Sequence, residues 1–278
     1  MPRARRTGLA FGLAVTASLA VPAAASAHAV SGIDESLGSA WDAPPAVLAG
    51  AAISLLLFGQ AFVRMRRRGR GDHAGWDRAA LFLAGVVLGT LALVSPLDRI
   101  GDDYLLSAHM LQHVAIGDAA PALVLVAIRG PLCFFLLPPQ VLGPLARMTW
   151  LRTFLRALLR PKVAFGLWAL VMAAWHVPAA YDYALAHQAI HDLEHLSFVI
   201  AGVLVWTQLV DPARHGQLRH SGRIALAVAL FAAGQVLADV LIFSQRAFYG
   251  PYAEQPDRLL GISPLTDQRL AGLVMMGE

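Results

Sequence analysis

The sequence predicts an all-α protein, a polytopic transmembrane helical bundle of six to seven spans behind an N-terminal signal peptide. Three observations carry that expectation. Only 14% of the 278 residues are charged and 57% are hydrophobic, whereas about a quarter are charged in an ordinary soluble domain. The apolar residues collect in runs long enough to cross a hydrocarbon core, which takes about 20 helical residues. The Lys and Arg residues gather between alternate runs, as the positive-inside rule requires.

Taken in order, Arg3, Arg5 and Arg6 precede the apolar GLAFGLAVTASLAV, and AAASA offers a small-residue cleavage site. Residues 1–27 therefore read as a secretory signal, with an uncleaved first span as the alternative. Residues 28–44 follow as an extracytoplasmic segment, and 45–278 as the transmembrane helical domain. Within it, apolar stretches occupy 45–63, 79–95, 104–127, 163–180, 191–210 and 223–243. A seventh opens at Gln268 and is expected to be a truncated span, because the eleven residues present fall short of a crossing.

The charges orient this layout. With 28–44 outside the cytoplasm, loops 64–78, 128–162 and 211–223 are cytoplasmic and hold 15 Lys and Arg, against four on the opposite side. The pI near 9.7 is thus a topology signal. It implies a lipid bilayer as the medium, and no nucleic-acid partner is expected. The stretch 128–162 is apolar at its start but carries Pro131, Pro138, Pro139 and Pro144. It reads as interfacial or re-entrant, since prolines break a straight spanning helix.

Given that topology, five histidines fall at one depth near the outer surface. His109 and His113 open one span, His176 closes the next, and His191 and His195 open the one after. Each i,i+4 pair presents both rings on one helical face, the spacing of paired ligands on metal-binding helices. His28, His73, His187, His215 and His220 read as loop or terminal residues. A lone interfacial histidine is ordinarily a hydrogen-bonded structural residue, but two such pairs at one level point to a shared metal or haem site.

Imidazole suits copper, zinc and iron, and the affinity order favours copper. Zinc remains an alternative, as does bis-histidine haem. Cys133 is the single cysteine, so no thiolate cluster or internal disulfide forms. Met110, Met172, Met275 and Met276 lie in the outer parts of their spans, where methionine is ordinarily a packing residue. Glu194 and Asp192 flank the second histidine pair and fit carboxylates that orient ligating rings. Asp102 and Asp103 precede the first pair, read equally as solvated loop charges. Asp118 and Asp239 sit deep in spans, where an ionised group costs about 2.5–3.5 kcal/mol, and suggest a polar network that Gln235 joins. No nucleophile elbow, phosphate loop or dinucleotide fingerprint stands on a suitable element, so no enzymatic activity is expected.

Four ordered blocks carry a resemblance: SPLDRIGDDYLLSAHMLQHV, WHVPAAYDYALAH, HDLEHLSFVIAGVLVW and SPLTDQRLAGLVM. From about Pro45 to its end the chain resembles the CtaG-like cytochrome c oxidase assembly factors, a multi-span bacterial family linked to caa3-type oxidases. The signal and the charge bias put the mature N-terminus outside the cytoplasm, and the resemblance implies an inner-membrane protein with cytochrome c oxidase subunits as partners. It also implies a role in maturing the oxidase, with copper supply to the CuB centre the usual proposal. His109, His113, His176, His191 and His195 match the family's histidine blocks, and Asp267 and Gln268 match the pair that opens its final span. Other readings of the same residues are a copper uptake or resistance transporter and a haem-binding membrane protein.

Overall fold

The structure is a computed structural model that describes residues 39–214 and 217–277. The expected signal peptide, most of the 28–44 segment, His28 and His215 lie outside the described residues. Among those described, the chain is helical and contains no strand.

Proline sets many of the element boundaries. Seven helices begin on one: α1 (Pro45–Arg67), α3 (Pro96–Asp103), α6 (Pro131–Phe135), α7 (Pro139–Arg147), α9 (Pro161–Trp175), α10 (Pro178–Leu185) and α14 (Pro264–Met276). At the first helical position the missing N–H costs nothing and the fixed φ is already helical. The remaining helices are α2 (Trp76–Val94), α4 (Leu106–Val114), α5 (Ala120–Ala127), α8 (Thr149–Leu158), α11 (Gln188–Val210), α12 (His220–Phe243) and the short α13 (Gly250–Ala253). A π-turn over Ala115–Ala119 joins α4 to α5, so the two form one long element, Leu106–Ala127.

Five elements are long and apolar enough to cross a membrane: Pro45–Arg67, Gly71–Val94, Leu106–Ala127, Gln188–Val210 and His220–Phe243. A sixth arises only if α8 and α9, bent by 69°, count together. The chain is a multi-pass membrane protein. Its large outward side chains, such as Leu56, Leu170, Val228, Phe231, Val236 and Phe243, are exposed, as expected where lipid is the solvent.

Two expected elements differ in detail. The expected span 163–180 stops at Trp175, because Pro178 disfavours helix in the residue before it and starts α10 instead. The proline-rich stretch resolves into α6, α7 and α8, all short, with the sharp bend ahead of α9. α14 has 13 residues, roughly 20 Å at 1.5 Å each.

The basic loops gather at one end of the bundle. There Arg64 donates to the Phe135 carbonyl at 3.2 Å, Gln60 to the same carbonyl at 2.9 Å, and Arg78 to the Ala127 carbonyl at 3.3 Å. Beneath them Phe58, Phe62, Met65, Phe82 and Leu132 form a buried cluster. At the opposite end, Leu106, Met110, Tyr181, Leu241, Tyr249 and Tyr252 form another. The methionines Met110, Met172 and Met275 are all buried in such apolar clusters.

Small residues let the central helices touch. A methyl on Gly202 of α11 would fall 1.8 Å from the Gly117 carbonyl oxygen in the π-turn. One on Gly101 of α3 would fall 3.0 Å from the His109 Cα. Without a hydrophobic force between helices in lipid, such close backbone approach supplies much of the attraction.

Candidate metal centre

The helices bring two histidine pairs face to face. The start of α4 has no capping side chain of its own, since Leu105 precedes it. Asp267, on α14, supplies the cap: its carboxylate accepts from the amides of Leu106 at 2.6 Å and Ser107 at 3.1 Å. A carboxylate there also complements the helix dipole. Three residues past Leu106, His109 is fully buried; His113 follows one turn on, with ring centroids 4.3 Å apart. On α11 the His191 and His195 rings lie 4.2 Å apart. Across the gap, His109 is 5.3 Å from His191 and 5.9 Å from His195, and His113 is 5.3 Å from His195.

Two groups of candidate ligand atoms result, each with all its atoms within 4.8 Å of one another: His109, His113 and His195; and Asp102, His109 and His191. Asp102 Oδ1 is 3.2 Å from His109 Nδ1 and 3.5 Å from His191 Nε2. Burial pushes the Asp102 carboxyl up to about 6, with His191 pulling against that shift. Glu194 is fully buried one residue before His195, its Oε1 3.9 Å from His113 Nε2.

The polar atoms here make few hydrogen bonds. Both ring nitrogens of His109 and of His113, the Nε2 atoms of His176, His191 and His195, both Glu194 oxygens and Asp102 Oδ1 are buried without a hydrogen bond. Each such atom ordinarily costs about 1–3 kcal/mol. Ten of them in one place form a donor set suited to an ion. Ligands bound about 2.0–2.1 Å from a metal and spread tetrahedrally lie about 3.3 Å apart, within reach of small side-chain shifts. Imidazole with a carboxylate fits copper or zinc. The four rings sit too close together to admit a macrocycle between them.

The other expected residues fall elsewhere. His176 belongs to neither triad; its Nδ1 faces the Met172 carbonyl at 2.7 Å, which leaves Nε2 as the available atom. Asp192 does not orient the rings: it is exposed and accepts from Gln188 at 2.9 Å. Residue 192 is about 100° round the helix from His191, which is why adjacency in sequence misled. Asp239 does not enter the interior; it is exposed on α12. Asp118 accepts from Trp206 Nε1 at 2.6 Å and, with Gln235, lines an apolar cavity of about 190 Å³. Asp267 acts through the helix cap and touches no histidine ring in that role.

Of the two acids ahead of the first pair, Asp102 at the end of α3 contacts two histidines, while Asp103 is exposed. Some participants were not singled out from sequence. Gln112, between the histidines of the first pair, donates to the Ala92 carbonyl at 2.9 Å and to Asp98. Tyr181 packs edge-on to His109 at 5.3 Å, and its hydroxyl lies 2.9 Å from that of Tyr252, which donates to the Gly101 carbonyl at 2.7 Å. This tyrosine pair ties α10 and α13 to α3 beside the cluster.

The family model described as cytochrome c oxidase caa3 assembly factor matches residues 56–277. The chain belongs to this family. The match takes in α2 through α14 and so every histidine of the cluster. No curated protein and no solved structure matches the chain. Within this caa3 assembly-factor family member, the cluster draws its histidines from α4 and α11, far apart in sequence, and Asp102 from α3, just ahead of α4.

Proposed function

We propose that this assembly factor carries a copper ion on His109, His113, His191 and His195 and supplies it to the CuB site of a caa3-type cytochrome c oxidase. Its place in that reading is a bacterial inner membrane, with the histidine end extracytoplasmic and the oxidase subunits as partners. The observation that carries the proposal is the group of ten buried polar atoms without a hydrogen bond on five histidines, Glu194 and Asp102. Copper is the cargo, and the chain's residues hold and release it. His109 and His113 present one face, His191 and His195 the other, and Glu194 adds a carboxylate against the ion's charge.

Phe198 weighs against onward transport through the bundle. Its ring lies 4.4 Å from that of His113, tilted by 36°, and it is buried. A methyl on Gly117 would lie 3.5 Å from its Cβ, so the phenyl group closes the deep side of the cluster. An ion held there leaves by the way it came, which suits handover to a partner.

The test is oxidase maturation in cells carrying His109→Ala or His195→Ala. Both variants are expected to insert at wild-type levels, to lose bound copper by elemental analysis, and to leave the oxidase inactive. Full oxidase activity with both variants would overturn the reading.

A further inference from the structure

We infer that the cluster holds one ion in two successive positions: an outer one at Asp102, His109 and His191, and an inner one at His109, His113 and His195. This rests on the copper-carrier reading and adds a route for loading and release.

The two triads are distinct in place and in chemistry. His109 and His191 each stand one helical turn ahead of His113 and His195, so the positions are offset by about 5 Å along the helices. The outer triad includes a carboxylate, and the Asp102 side chain is 27% exposed. That makes it the mouth of the site. The inner triad is all imidazole; His113 and His195 are buried, and Glu194 beside them is 0% exposed. An ion moving inward exchanges an oxygen ligand for nitrogens, which favours copper over hard cations such as calcium and magnesium.

His109 belongs to both triads. His109 is therefore a ligand residue in both positions, which shortens the path an ion crosses in a low-dielectric setting, where an unpaired charge is costly. The shared ring also limits the site to one ion at a time, since two cations one turn apart would repel strongly. Tyr181 against the His109 ring and Gly101 beneath its backbone fix this residue in place, as a pivot requires. Asp102 and His191 thus set the rates of loading and release, while His113 and His195 set the depth of binding.

The experiment uses full-length protein in detergent under anaerobic conditions, titrated with Cu(I) and challenged with bathocuproine disulfonate. Wild type is expected to bind one ion per chain. The variant Asp102→Asn/His191→Gln should bind one ion, load about tenfold or more slowly, and lose less equilibrium affinity than a variant of the inner pair. The variant His113→Gln/His195→Gln should bind about tenfold or more weakly and surrender its ion to the chelator correspondingly faster. Freeze-quenched X-ray absorption on wild type needs no substitution. Oxygen ligation should be present in the earliest samples and replaced by nitrogen at equilibrium, and this arm decides if a variant aggregates. Two ions per chain, equal losses in both variants, or an unchanging ligand set would overturn the two-position inference alone. Wild type that binds no Cu(I) would overturn it together with the copper-carrier reading.

Discussion

Asp98 and Asp102 stand one turn apart on the same short helix and differ in what they face. Asp102 meets two histidines, whereas Asp98 meets the Gln112 amide. Burial, reinforced by the charge of Asp102, pushes the Asp98 carboxyl up to about 7 from 3.8, although the Gln112 bond favours the ionised form. A carboxyl raised by folding stabilises the fold while it is protonated. Its contribution is complete below about pH 4 and is lost as pH climbs through about 7. Asp98→Asn keeps an acceptor for Gln112 and removes the ionisation. It should leave the melting midpoint unchanged near pH 4 and raise it by about 3 °C at pH 8, the scale of about 1 kcal/mol. Thermal denaturation of the detergent-solubilised variant at the two pH values checks this; an equal effect at both would contradict it.

At the scale of elements, the contact between α11 and the π-turn sets the distance between the histidine pairs. The turn comes where Pro121 lacks the N–H that would bond the Gly117 carbonyl in a continuous α-helix, and π-turns are a common answer to such an interruption. Gly202 lets α11 lie directly on that freed carbonyl. Gly202→Ala puts a methyl into a space bounded by backbone, which cannot swing aside. It is expected to cost about 3 kcal/mol, a fall of about 6–12 °C in midpoint, and to weaken Cu(I) binding by drawing His191 and His195 away from α4. A variant with wild-type midpoint and wild-type Cu(I) affinity would refute that link between crossing distance and site.

For the whole molecule, an ion bound between α3, α4 and α11 is a crosslink present only in the folded state. Linkage predicts stabilisation of about 4 kcal/mol when free copper is a thousandfold above its dissociation constant, or about 8–16 °C for a chain of this size. Calorimetry with and without Cu(I) should show that shift for wild type. The variant His109→Gln/His113→Gln/His191→Gln/His195→Gln should show none. A shift of similar size in both would place the stabilising ion elsewhere.

Much of this architecture was legible in the sequence, and the reasons are specific. Runs of about 20 apolar residues admit one structure in lipid, because a helix alone satisfies its own backbone; the all-α bundle followed from that. The HxxxH spacing in two segments put each histidine pair on one face, because 3.6 residues make a turn. The order of the signature blocks placed the chain beside its family. Partnership across helices was not legible. Asp102 and Asp192 look alike as acids near histidines, yet one touches two rings and the other is exposed, since rotation about a helix axis separates neighbours in sequence. Asp267 caps a helix some 160 positions earlier, and nothing local in either segment records that pairing. The sequence by itself determined the helices, their membrane character and the two paired faces, all of which depend on short-range periodicity and composition. Only the tertiary structure decided that those faces meet, that Asp102 and Glu194 join them, and that Asp239 does not, because each depends on crossing distances set by glycines and a π-turn.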